Sequence, residues 1–170
     1  MPVDFRPSEG EIVSQAFDVA QSFKANELGT VAKFRDVGST DYGSAYFKYV
    51  KVDNDAAGAP TIAAGWVACY LAATGVTTST VTFDAGEDDA LAIGAGVVHC
   101  APAHDDYVWL QVTGYAVLAK AIANTPLVGK PVTAADDAVD GGVRVKDAVG
   151  ETVVGICQDN DKKFLCAFPF

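Results

Sequence analysis

The sequence predicts an all-β fold, a compact β-barrel or β-sandwich with a helix or an arm at its N-terminus. Half of the residues are apolar, only 20% are charged, and there is a single Met. Small and β-branched residues in place of Leu, Lys and Glu favour strands over helices. Short apolar runs separated by turn residues recur along the chain, which is typical of a barrel or a sandwich. The clearest run is Tyr107–Leu118, in which large side chains alternate with the period of a strand.

This run predicts a central strand with both faces at least partly buried. Its large residues fall on two faces, with Val108, Leu110 and Val112 on one and Tyr107, Trp109 and Gln111 on the other. Gly114 interrupts the run, and a glycine inside a strand usually marks a bulge or a bend. We therefore expect the chain to bend near Gly114 towards a second partner.

The rest of the chain supplies further short strands. Alternation and turn residues place them at 31–34, 45–52, 61–71 with a break at Gly65, 77–83, 91–101, 143–145, 152–158 and 164–170. The turn Asp159-Asn160-Asp161 joins the last two strands, which predicts a hairpin.

The first 26 residues differ from the β domain predicted over 27–170. Ser8 and Glu11 have the spacing of a capping box. Apolar residues then recur at helical spacing, namely Ile12, Ala16, Val19, Ala20 and Phe23. This pattern predicts a helix near residues 9–24. A mobile arm that orders on a partner is the alternative, and a helix that covers one end of the β domain is the simplest role.

The net charge of −10 and the pI of about 4.4 argue against direct binding of nucleic acid, because a phosphate backbone is bound by clustered Lys and Arg. The apolar runs are too short and too interrupted to span a membrane. The first residues, MPVDFRPSEGE, lack the pattern of a signal peptide. The four cysteines, Cys69, Cys100, Cys157 and Cys166, form no CxxC pair, and we expect free, buried thiols.

The sequence contains no complete catalytic motif, so it predicts no enzyme, no catalytic residue and no cofactor. His99 and His104 flank Cys100, and a metal there would also need Asp105 or Asp106. Their spacing matches no zinc pattern, so we expect no metal site, only a half-buried strand histidine and a loop histidine. The turn at 53–60 lacks the later ligands of a calcium loop. Acidic pairs in the other turns are typical of solvated surface.

Three stretches of the chain stand out together, namely LGTVAKFRD from Leu28, GSAYFKYV from Gly43 and YVWLQVTGYAV from Tyr107. They resemble a family of small tailed-phage proteins encoded near the capsid genes. The shared positions are Gly43, Phe47 and Tyr49, then Trp109, Gln111, Gly114 and Ala116, and finally Gly129, Pro131 and Val132. Tyr46 stands where that family has an acidic residue, and Val108 stands where it has a glycine. The resemblance covers about residues 28–170.

The resemblance implies a capsid decoration or cement protein on the outside of the virion, made in the host cytoplasm. Its partner would be the major capsid protein, and it would act as a homo-oligomer, with a trimer favoured. Residues 1–26 are the candidate segment for capsid binding or subunit exchange. The candidate capsid or subunit contacts are Ile12, Phe17, Phe23, Tyr42, Tyr46 and Trp66.

Two other functions remain open at this point. A head-fibre base or a receptor- or glycan-binding module could present Tyr42, Tyr46 or Trp66 as a sugar platform. A small ligand-binding barrel or an enzyme would need convergent polar groups, for which His99, His104 and Asp105 are the candidates.

Overall fold

The computed structural model describes residues 6–7, 16–35, 44–54, 60–71, 75–84, 90–134 and 139–169. These residues form an all-β fold of two sheets, as the sequence predicts. The strands are β1 Arg6–Pro7, β2 Val31–Arg35, β3 Ser44–Val52, β4 Val67–Leu71, β5 Thr80–Thr82, β6 Ala90–Val98, β7 Tyr107–Gln111, β8 Thr113–Val117, β9 Pro131–Ala134, β10 Val143–Val145, β11 Val153–Cys157 and β12 Lys163–Ala167, with one helical turn, α1, at Gly75–Thr78.

The first sheet closes on itself through β3. One edge of β3 pairs with β7 in antiparallel fashion. The other edge is shared, because β2 pairs with residues 44–48 and β5 pairs in parallel with Lys51 and Val52. The ring β3-β5-β4-β6-β7 is therefore complete, and β2 and β1 extend the sheet beside it. This arrangement is a five-stranded barrel, in which the ring strands have partners on both sides.

Apolar side chains fill the barrel. The buried cluster includes Val50, Val52, Trp66, Tyr70, Phe83 and Leu110. One charged side chain also enters this layer: the amine of Lys48 donates to the hydroxyl of Tyr70 over 2.9 Å and is 6% exposed. The alternation of β3 accounts for this, because Lys48, Val50 and Val52 share one face while Phe47 and Tyr49 share the other.

The chain passes from one sheet to the other between β7 and β8. β7 belongs to the barrel, while β8 is an edge strand of the second sheet, whose order is β10-β9-β11-β12-β8. Gly114 has a φ of +86°, and a Cβ there would lie 3.1 Å from that of Ala45. A side chain at this position would be strained and crowded. The predicted bend towards a second partner is confirmed.

The second sheet packs one face against the outside of the barrel. Val67 and Val97 of the barrel lie in one buried cluster with Val132, Val154 and Phe164 of the second sheet. The predicted C-terminal hairpin is confirmed, since Cys157 of β11 pairs with Phe164 of β12. Asp159 closes this hairpin by accepting from three backbone N–H groups over 2.8–2.9 Å.

Two strand predictions need correction. The strand predicted for 61–71 begins only at Val67, because Gly65 takes a φ of +84° and bonds to Val98 and Ala119 rather than continuing a ladder. The strand predicted for 77–83 is shortened to Thr80–Thr82, since α1 occupies the preceding residues and Ser79 has a φ of 55°.

The helix predicted near residues 9–24 is not formed over residues 16–24, while residues 8–15 lie outside the described part of the chain. Instead Gln21 exchanges two backbone hydrogen bonds with Tyr107, of 3.1 and 2.8 Å. Such a bridge requires extended backbone, which competes with a helix. We call residues 16–26 the strap, because they run along the outside of the barrel. Among the described residues, no helix is long and apolar enough to cross a membrane.

Candidate functional site

The strap holds the barrel through Phe17 and exposes other apolar side chains. The Phe17 ring is 3% exposed, with its centroid 5.0 Å from that of Phe47 and 5.9 Å from that of Phe34. In contrast, Phe23 is 62% exposed and Val19 is 44% exposed. Of the candidate contacts in this segment, Phe23 is therefore available to a partner and Phe17 is part of the core. Ile12 lies outside the described residues.

The three aromatic residues considered as a sugar platform do not form one. Trp66 is buried, with the amine of Lys120 at 3.9 Å from its ring centroid. Tyr46 is 42% exposed and lies beneath the amine of Lys33, at 5.8 Å. Tyr42 lies outside the described residues. Because Trp66 faces the barrel core, the candidate surface is reduced to Tyr46 among the described residues.

A surface that sequence reasoning missed lies on the second sheet. Pro131, Ile156, Leu165 and Tyr115 are directly paired neighbours across β9, β11, β12 and β8. Since paired residues project to the same side of a sheet, these four form one row, which we call the outer row. Ile156 is 39% exposed and Leu165 is 41% exposed. The row faces away from the barrel, because the alternate residues Phe164 and Cys166 are buried in the cluster between the sheets.

Further apolar residues extend the outer row. Val117 lies two residues beyond Tyr115 on β8 and is 40% exposed, and Val153 on β11 is also 40% exposed. At the other end, a loop covers the sheet, since Arg144 of β10 bonds to the carboxylates of Asp147 and Glu151. The open part of this face is therefore made by β8, β11 and β12.

The two histidines are not brought together into one site. The His99 ring packs against Phe17 and Phe47, with centroids 5.2 and 5.7 Å away. Its Nε2 lies 2.8 Å from the side-chain oxygen of Gln111. Burial lowers the pKa of His99, while the hydrogen bond to Gln111 and the charge of Asp18 oppose that shift. Its position in an aromatic cluster explains these properties without a ligand.

His104 belongs to a surface loop. Its Nδ1 accepts from the backbone N–H of Asn54 over 3.1 Å, and its Nε2 lies 3.4 Å from the carboxylate of Asp105. Asp105 also pairs with Lys51 at 2.5 Å, and this bond lowers the pKa of the Asp105 carboxyl. These polar groups bind one another and fix the loop to the end of β3. In the part of the chain that the structure describes, no three metal-binding side chains lie close enough to hold an ion.

All four cysteines are free thiols, as predicted. Cys69, Cys157 and Cys166 are buried, and Cys100 is half-buried. Burial raises the pKa of Cys69 and of Cys100 to about 12. A thiol with such a pKa has almost no thiolate near neutral pH, so these cysteines act as small core residues rather than as nucleophiles.

No protein family, no curated protein and no solved structure matches this chain.

Proposed function

We propose that this chain is a structural protein of a tailed-phage virion that decorates the outer surface of the capsid. The observation that carries the proposal is a filled barrel with exposed apolar side chains on two different sides. Trp66, Tyr70 and Phe83 occupy the barrel interior, where a wider barrel would hold a ligand. Phe23 on the strap and Leu165 on the second sheet are 62% and 41% exposed. A protein built this way acts through its surfaces.

The two surfaces lie on different faces of the barrel. The strap covers Phe47 and Trp109, which point outwards from β3 and β7. The second sheet covers Val67 and Val97, on the outside of β4 and β6. A domain with two separate adhesive sides can contact two neighbours at once, which is what a cement protein does. Weak single contacts become strong when many copies bind a lattice together.

The strap side is the proposed contact with the major capsid protein. It exposes Phe23 and Val19, and it belongs to the first 26 residues, which contain four Asp and Glu against two Lys and Arg. Apolar contact would supply most of the binding energy, and acidic-to-basic pairing would orient the chain. The resemblance of residues 28–170 to capsid-associated proteins supports the same function.

Quantitative mass spectrometry of purified virions tests the proposal. We expect the number of copies of this chain per major capsid protein to be near a simple lattice fraction. A handful of copies per particle would favour the head-fibre or receptor-binding alternative. Absence of the chain from virions would contradict both structural functions.

A truncation then tests the N-terminal segment as the capsid contact. Because Phe17 is a core residue, the variant should remove residues 1–15, which precede the strap, and keep Phe17. Phe23→Ser is the companion variant, since it changes an exposed side chain of the strap. Both should fold and lose binding to shells made of the major capsid protein. The matched control is Val76→Ser, which changes a residue on the barrel that is 45% exposed. Full binding by both the truncated chain and Phe23→Ser would exclude this side as the contact.

A further inference from the structure

We infer that the outer row is a self-association surface, on which a second copy of this chain docks face to face. The inference does not depend on the capsid function, because it concerns the isolated chain. It rests on the apolar character of this face, on the distribution of charge along the chain, and on the pairing that places the row residues side by side.

The exposed face of β8, β11 and β12 is apolar almost throughout. The residues that point outwards there are Thr113, Tyr115, Val117, Val153, Ile156, Lys163, Leu165 and Ala167. Lys163 is the one charged residue among them, and it lies at the end of β12, opposite Val117. A long lysine at the border of an apolar surface can keep its amine in water while its stem packs.

The charge of the chain favours a second copy at this face and disfavours it elsewhere. Residues 113–170 contain six Lys and Arg and seven Asp and Glu, for a net charge of −1. Residues 1–112 contain six and fifteen, for a net charge of −9, which together give the total of −10. Two copies that met through their barrels would bring like charges together. Two copies that meet through their second sheets bury a face of β8, β11 and β12 on which Lys163 is the one charged residue, and they keep the acidic barrels apart.

The geometry predicts a twofold dimer. When a surface patch meets the same patch of a second copy, the contact is isologous and closes after two subunits. Two β-sheet faces pack about 10 Å apart with their side chains interdigitated, as in a sandwich. Contact through the outer row would cover Ile156 and Leu165 of each copy in this way.

The size of the face predicts a weak dimer. Three strands about 4.8 Å apart and five residues long give a footprint of roughly 240 Å². Specific stable interfaces bury about 800 Å² of accessible surface per partner. We therefore expect a concentration-dependent dimer with a dissociation constant on the order of 100 µM.

Sedimentation equilibrium of the purified full chain, over concentrations on both sides of that value, tests the inference. The wild-type chain should change from monomer to dimer. Ile156→Lys should remain monomeric, although it lowers the net negative charge and so weakens general repulsion. Val76→Lys makes the same change of charge on the barrel and should still dimerise. A wild-type chain that stays monomeric, or an Ile156→Lys variant that dimerises as well as wild type, would overturn the inference.

A second measurement does not depend on the folding of the lysine variant. Leu165→Cys places an exposed thiol in the outer row, whereas the natural cysteines are buried or half-buried. The rate at which a maleimide reagent modifies this thiol should fall several-fold as the protein concentration rises through the dimerisation range. Val76→Cys is the control, and its rate should not change. Equal rates for Leu165→Cys at low and high concentration would contradict docking on the outer row.

Discussion

The side-chain oxygen of Gln111 lies 2.8 Å from Nε2 of His99, at the point where the chain leaves the barrel for the second sheet. The amide nitrogen of Gln111 donates to the carbonyl oxygens of Thr113 and Tyr115, over 3.0 and 2.9 Å. Because both amide protons are used on β8, the oxygen must accept from His99, which places a proton on Nε2 of the imidazole. This 1%-exposed side chain thereby supplies hydrogen bonds to the edge strand of the second sheet.

Substitution of Gln111 should destabilise the chain. Gln111→Met has a similar volume but removes all three hydrogen bonds, leaving two carbonyl oxygens and the His99 N–H without this partner. Each buried polar group left unpaired costs about 1–3 kcal/mol. Because Thr113, Tyr115 and His99 are only partly buried, water can replace part of the loss, and we expect the free energy of unfolding to fall by about 2–4 kcal/mol in urea denaturation. Gln158→Met, at an exposed position after β11, is the control and should change it by less than about 0.5 kcal/mol.

His99 should make stability depend on pH. Burial lowers its pKa in the folded chain, so the unfolded chain binds a proton first as pH falls. The His99 contribution is therefore complete above the unfolded pKa of about 6.5 and is lost as pH falls from there to the folded pKa. Urea midpoints measured between about pH 8 and about pH 5 should decrease for wild type and decrease less for His99→Gln. Asp105, whose pKa is lowered by Lys51, loses its contribution only at more acidic pH. Equal slopes for wild type and His99→Gln would show that His99 does not titrate differently on folding.

Local patterns predicted the strands and the bend, but not the closure of the barrel. The alternation in Tyr107–Leu118 was enough to predict a strand with two buried faces, and Gly114 was enough to predict the bend towards a second partner. Both signals are local, because they depend on the alternation of side chains along a strand and on the backbone freedom of glycine. Closure depends on β3, whose one edge is shared by β2 and β5. These pairings join residues that are distant in the sequence, and the residues of β3 alone do not predict them.

The sequence also could not distinguish Phe17 from Phe23 or identify the outer row. Phe23 belongs to the helical pattern of the first segment and Phe17 does not, yet the extended strap buries Phe17 and exposes Phe23. In β12, Leu165 and its buried neighbours Phe164 and Cys166 are all apolar. A run of consecutive apolar residues within a strand is expected to be covered on both sides. The packing of the second sheet on the barrel determines which face of β12 is left exposed. That packing is a relationship between distant parts of the chain.

Gly141 should tolerate no side chain. It has a φ of +61°, and a Cβ there would overlap the indole ring of Trp66. Gly150 has a φ of +96° but meets nothing within 4 Å, so Gly150→Ala isolates the cost of the backbone conformation, which is about 1–2 kcal/mol. Gly141→Ala should cost more than this because Trp66 must also move. Thermal denaturation of both variants measures the difference, and similar melting temperatures would mean that Trp66 adapts without cost.

The strap should contribute to stability through Phe17 and not through Phe23. Phe17→Ala removes a ring that packs against Phe34, Phe47 and His99, and truncation of a buried phenylalanine costs about 3–5 kcal/mol. Phe23→Ala removes a ring that is 62% exposed, so the free energy of unfolding should change by less than about 0.5 kcal/mol. Urea denaturation of the two variants compares the same chemical change six residues apart. If Phe17→Ala were as stable as Phe23→Ala, the strap would not be part of the folded core, and residues 1–26 would act as a separate arm.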